Sequence, residues 1–175
     1  QKVTIDPPNP GLRPIAAAGS LSPYSTTSGT WSNSAWPLKP DVVFEGGNLA
    51  TDGQQAYTEP CLSLVTTAHE PEQRLLTTTS ATSAASALAA RMAAQVSTNY
   101  PQLWPETVRA LIVHSAEWPD RMRQDFLAAG TKAGYENLVK HCGFGVPDLS
   151  RALWSAGDSL TMIVEDHLRP FMRQG

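Results

Sequence analysis

The sequence has 175 residues, 41% hydrophobic and 17% charged, enough apolar material for one domain with a sizeable core or for a large part of one. Its 13 basic and 16 acidic residues leave a net charge of −3 with no basic cluster, so no nucleic-acid partner is expected. No apolar run reaches transmembrane length and no charged-then-apolar leader opens the chain, so no membrane is expected and the expectation leans towards the cytoplasm.

Residues 1–40 hold seven of the 14 prolines: Pro7, Pro8, Pro10, Pro14, Pro23, Pro37 and Pro40. Each fixes φ and removes a donor, so this part reads as extended loop with a short strand near Lys2–Ile5. Residues 20–34 turn to Ser, Thr, Tyr and Trp and read as a surface loop, with Trp31 and Trp36 packing against something. Asp41–Phe44, with β-branched Val42 and Val43, reads as a buried strand ended by Gly46-Gly47. Asn48–Pro60 reads as polar loop, Cys61–Thr67 as a strand and His69–Arg74 as a charged turn. Leu75–Thr79 then leads onward as an extended segment.

From Thr77 to Val96 the chain runs TTTSATSAASALAARMAAQV. Ala, Leu, Met, Arg and Gln have the best helix propensities, no Gly or Pro interrupts them, and Ser and Thr just ahead suit a helix start. The eight alanines from Ala81 to Ala94 leave little bulk on any face, which suggests a central helix approached from several sides. The plain reading is a capped core helix. The chemical one is that a hydroxyl at a helix N-terminus lies beside backbone N–H groups and positive dipole, where an oxyanion is stabilised.

Beyond Pro101 a second helix is expected, with Pro105 in its first turn and Val108, Leu111, Ile112 and Ser115 on its core face. His114 beside that face reads as a packed histidine. Arg121–Ala133 reads as a helix ended by Gly130 and Gly134, Gly143-Phe144-Gly145 as a tight turn, Pro147–Ala156 as a short helix and Leu160–Glu165 as a final strand. Cys61 and Cys142 pair in a disulfide or stay as free thiols, and both readings remain open. His141 beside Cys142 has no second ligand pair at a suitable spacing, so no metal is expected.

Ala81-Thr82-Ser83-Ala84-Ala85-Ser86-Ala87 resembles the Gly-Thr-Ser-x-Ala-x-Pro nucleophile motif of the subtilisin-like serine peptidases, with Ala81 in place of Gly and Ala87 in place of Pro. Lys39-Pro40-Asp41-Val42-Val43 is similar to that family's Lys-Pro-Asp-Val strand. Tyr100-Pro101 and Pro105–Leu111 resemble the end of its nucleophile helix and the start of the next, and Gly143–Asp148 its closing Gly-x-Gly turn and last helix. The matches follow in the family's order over residues 39–155. The resemblance implies an α/β fold, part of a subtilisin-like parallel-sheet sandwich whose central alanine-rich helix carries the nucleophile at its N-terminus. Residues 1–175 would be the C-terminal portion of such a domain, 1–38 a connection and 39–165 core.

By the same resemblance Ser83 is the nucleophile and Thr82 supports the oxyanion, no cofactor is needed, and a peptide or protein is the substrate. A register with Ser80 as nucleophile puts Thr82 where the family has Ala and shifts Pro101 out of line. The family's Asp motif, His-Gly-Thr motif and oxyanion Asn are not found: none of His69, His114, His141 and His167 precedes Gly-Thr. The expectation is therefore a fragment, partnered by the upstream part of the same catalytic domain and inactive alone. The alternatives are a non-catalytic subtilase-like binding or structural module, and an unrelated α/β domain with a capped alanine helix. No substrate-binding residue is assigned.

Overall fold

A computed structural model of the chain describes residues 2–30, 38–157 and 161–167. Strands come first and helices follow. β1 (Arg13–Pro14), β2 (Ala50–Thr51) and β3 (Ala56–Tyr57) form a small antiparallel sheet in that order. β4 (Leu64–Thr67) pairs antiparallel with β5 (Leu76–Thr79), Leu64 opposite Thr79 and Thr67 opposite Leu76. Then come α1 (Ala81–Asn99), α2 (Pro105–His114), α3 (Asp120–Phe126), α4 (Lys132–Cys142) and α5 (Leu149–Gly157). No helix among the described residues is long and apolar enough to cross a membrane.

The fold is mixed helix and strand, but the expected parallel sheet is not among the described pairings, all of which are antiparallel. The reason is local. β2 meets β3 and β4 meets β5 through connections too short for the crossover that parallel neighbours require. Val42–Phe44 forms no strand. Val43 N donates to Gly145 O at 2.9 Å and Phe144 N to Asp41 O at 2.8 Å, a contact with a turn and not a ladder. Lys2–Ile5 is likewise no strand, and neither are Thr161–Glu165; Leu160 lies outside the described residues. Trp31 and Trp36 also lie outside them, while Ser22, Thr27 and Ser28 of the expected surface loop are buried.

The main core lies where α1, α2 and α5 meet: Met92 and Val96, then Val108, Leu111 and Ile112, then Ala152. The periodicity of α2 therefore points inward as expected, with Ser115 buried beside it. Truncating Leu111 to Ala would cost about 2–5 kcal/mol. Tyr100, just past the end of α1, ties the layer together by donating its hydroxyl to Leu153 O at 2.9 Å. Contrary to the packed reading, His114 is exposed, because the α2 face it occupies turns to solvent.

A second cluster gathers Met122 of α3 with Leu138 and Cys142 of α4, flanked by Leu21, Val43 and Trp118. The single helix expected over 121–133 is instead two helices. Thr131 caps α4 by accepting from Gly134 N at 3.2 Å, so Gly134 opens a helix and does not close one. Its missing side chain matters, since a Cβ there would come within 2.3 Å of Ala129 O. The Gly143-Phe144-Gly145 turn binds α4 to the Asp41–Val43 segment, with both glycines at positive φ.

Candidate active site

α1 starts from an abrupt change in backbone direction. Ser80 is extended at φ −143°, and Ala81 adopts the left-handed region at φ +72°. For an L-residue that conformation costs on the order of 1 kcal/mol, which is why glycine is usual there. Contacts on both sides hold it. Ala81 N donates to Gly46 O at 2.7 Å, and Ser80 Oγ donates to Ser63 Oγ at 2.9 Å. Ser80 is therefore at the N-cap position without capping through its side chain, since its hydroxyl points to Ser63, just before β4, and not into the helix.

The Gly46-Gly47 turn makes this approach possible. A Cβ on Gly47, itself at φ +80°, would lie 2.8 Å from Ser80 Oγ and 3.2 Å from Leu62 O. Behind the turn, Asn48 is fully buried and saturated. Its Nδ2 donates to Lys2 O and Ala16 O, and its Oδ1 accepts from Ala16 N and Leu49 N. The segment read as polar loop thus contains the best-satisfied buried side chain of the region.

Thr82 and Ser83 stand in the first turn of α1, both exposed. The Ser83 side chain makes no hydrogen bond among the described residues. The amides of Thr82 and Ser83 belong to the first-turn donors that a helix leaves without an internal partner, at the positive end of the dipole. The geometry presents a free hydroxyl beside N–H groups suited to a developing oxyanion. Along the neighbouring face, Thr82, Ala85, Ser86 and Ala89 wall a groove of about 370 Å³ opposite Val42 and Phe44.

No histidine among the described residues is hydrogen-bonded to Ser83. His69 sits 3.4 Å from Glu70 on an exposed turn. His141 also lines the groove, but its ring stacks on Phe126 and its Nδ1 lies 2.8 Å from Asn137 O. His167 packs on Trp104. The strongly shifted acids are elsewhere too. Asp52 is lowered to about 2 by the Tyr57 hydroxyl and the amides of Gln55 and Gln54, and Cys142 is pushed up to about 12 by burial and then by the Asp125 charge. Both cysteines are free, Cys61 half-buried and Cys142 buried. No group of three or more His, Cys, Asp or Glu among the described residues is placed to hold a metal ion.

Ser63 falls inside the segment expected as the strand Cys61–Thr67, but the strand begins only at Leu64, and Cys61 and Leu62 belong to the short helical turn Pro60–Leu62. The Gly46-Gly47 pair is the sequence signal for a close approach here, since two glycines leave room for backbone to come near.

A protein-family model described as "Subtilase family" matches residues 6–145. The chain is also 31% identical over 162 residues to a protein named "Uncharacterized protein y4bN" from Sinorhizobium fredii (strain NBRC 101917 / NGR234). That match takes in 90% of this chain and 36% of the relative, so the chain spans about a third of the relative's length. No solved structure matches it at a significant level.

Proposed function

The chain belongs to the subtilase family of serine peptidases, and on that premise we propose that Ser83 is the nucleophile of a serine endopeptidase whose remaining catalytic groups lie in the upstream part of the same catalytic domain. The observation that carries this is the exposed, unbonded Ser83 hydroxyl in the first turn of the 19-residue α1, in register with the family's nucleophile motif.

The chemistry follows from the position. Ser83 Oγ attacks the scissile carbonyl carbon, its proton passes to a base, and the carbonyl oxygen becomes an oxyanion. The Ser83 N–H donates to that oxyanion, with Thr82 in support. Collapse expels the amine, which takes the proton, and leaves an acyl-enzyme that water cleaves by the same steps in turn. Base and orienting carboxylate are assigned to the upstream part because no histidine among the described residues is hydrogen-bonded to Ser83.

A fluorophosphonate probe tests this reading. The full-length protein should be labelled stoichiometrically at Ser83, and the isolated chain 1–175 should not, because on this reading the base lies in the upstream part. Labelling of the isolated chain would place the base within these residues. That no histidine among the described residues is hydrogen-bonded to Ser83 also favours a second reading, a non-catalytic subtilase-like module, and a full-length protein that neither labels nor cleaves peptides would establish it.

A further inference from the structure

We propose that Ser63 is a positioning residue for the Ser83 nucleophile, acting through Ser80; this rests on the assignment of Ser83 above. Ser63 is 1% exposed and held from several sides. Its Oγ donates to Glu59 O at 3.1 Å, its N–H to Pro60 O at 3.1 Å, and its carbonyl accepts from Lys2 Nζ at 2.7 Å. Into this fixed point Ser80 Oγ donates at 2.9 Å. One residue on, Ala81 N donates to Gly46 O at 2.7 Å. Two consecutive residues, the N-cap and the first residue of α1, are thus pinned at the start of the helix that carries Ser83.

The pinning has work to do because Ala81 sits at φ +72°, where an alanine does not stay unless its surroundings hold it. The conformation of Ala81 sets the course of the first turn of α1, and with it the place of Ser83 Oγ two residues later. Neither Ser63 nor Ser80 is bonded to Ser83, so the pair passes no proton to it. Its effect is on placement, to which an attacking atom is sensitive at the ångström scale. Since neither hydroxyl needs to touch substrate, the effect falls on kcat and not on KM.

The test measures kcat and KM for peptide hydrolysis by the full-length protein, at a temperature where circular dichroism shows each variant folded. Ser63→Ala and Ser80→Ala should each lower kcat about tenfold, with KM unchanged within about twofold. The double variant should be no worse than either single one, because both remove the same interaction. Ser80→Thr, which keeps the hydroxyl, should restore turnover, and the rate of Ser83 phosphonylation should follow kcat. An unchanged kcat with only a lowered melting temperature would reduce the pair to a structural contact and overturn the proposal. Should Ser63→Ala fail to fold, the half-exposed Ser80 gives the same answer. If Ser83→Ala is inert while Ser63→Ala and Ser80→Ala keep full kcat, only the positioning role falls. If Ser83→Ala cleaves like the wild type, or the wild type is inert, the nucleophile assignment falls and this role with it.

Discussion

The hydroxyl of Ser80 donates to the hydroxyl of Ser63 across 2.9 Å, which commits the serine nearest the helix start to the residue just before β4 and leaves Ser83 without a side-chain hydrogen bond among the described residues. Ser86, one turn further, faces the groove beside Val42 and Phe44. Three serines within seven residues therefore have three different surroundings, and these can be told apart by substitution.

In the full-length protein Ser83→Ala should lower kcat by a factor on the order of 10⁴ or more with folding unchanged. Ser80→Ala should cost about tenfold and Ser86→Ala less than that. Peptide hydrolysis kinetics on the three variants check the register. Near-normal turnover of Ser83→Ala beside a dead Ser80→Ala would move the nucleophile to Ser80.

Ala81→Gly should stabilise the chain. Glycine adopts φ +72° without the Cβ clash, which outweighs its greater freedom in the unfolded state, for a net gain on the order of 1 kcal/mol. Thermal unfolding should show a melting temperature raised by about 2–4 °C. A lowered melting temperature would mean that the left-handed conformation is absent in solution.

Asp52 should titrate far below an ordinary aspartate, at about 2, because the Tyr57 hydroxyl and then the amides of Gln55 and Gln54 donate to its carboxylate. A depressed folded-state pKa means that the carboxylate contributes stability above its ordinary value of 3.8 and loses it as pH falls through about 2. Tyr57 shows the opposite sign. Its pKa is raised by the same bond, so its contribution is present below its ordinary value of 10.0 and lost as pH rises through the raised one. NMR titration of the Asp52 carboxyl should give a midpoint near 2, and Tyr57→Phe should move it back towards 3.8.

Cys142 should be inert in the folded protein. Its thiol is buried in the cluster with Met122 and Leu138, and desolvation, with a smaller push from Asp125, raises it to about 12. At pH 8 a thiol reagent should modify the half-buried Cys61 well before Cys142, which should react only on unfolding. Equal rates for the two would mean that α4 opens readily.

What the sequence determined by itself was local. The uninterrupted good helix formers after Ser80 place α1, Pro105 and the spacing of Val108, Leu111 and Ile112 place α2 and its buried face, and the order of motifs from Lys39 to Asp148 is enough to identify the family. Tertiary structure decided whatever depended on residues distant in the chain. The Ser80 hydroxyl turns to Ser63, 17 positions away, and so does not cap α1. Ala81 keeps a left-handed backbone because Gly46 O is there to receive its N–H. Asn48 is a buried tie because Lys2 and Ala16 come to meet it, although its own neighbourhood reads as loop. Propensity and periodicity act over a few residues, whereas a hydroxyl or amide takes whichever partner folding brings within 3 Å.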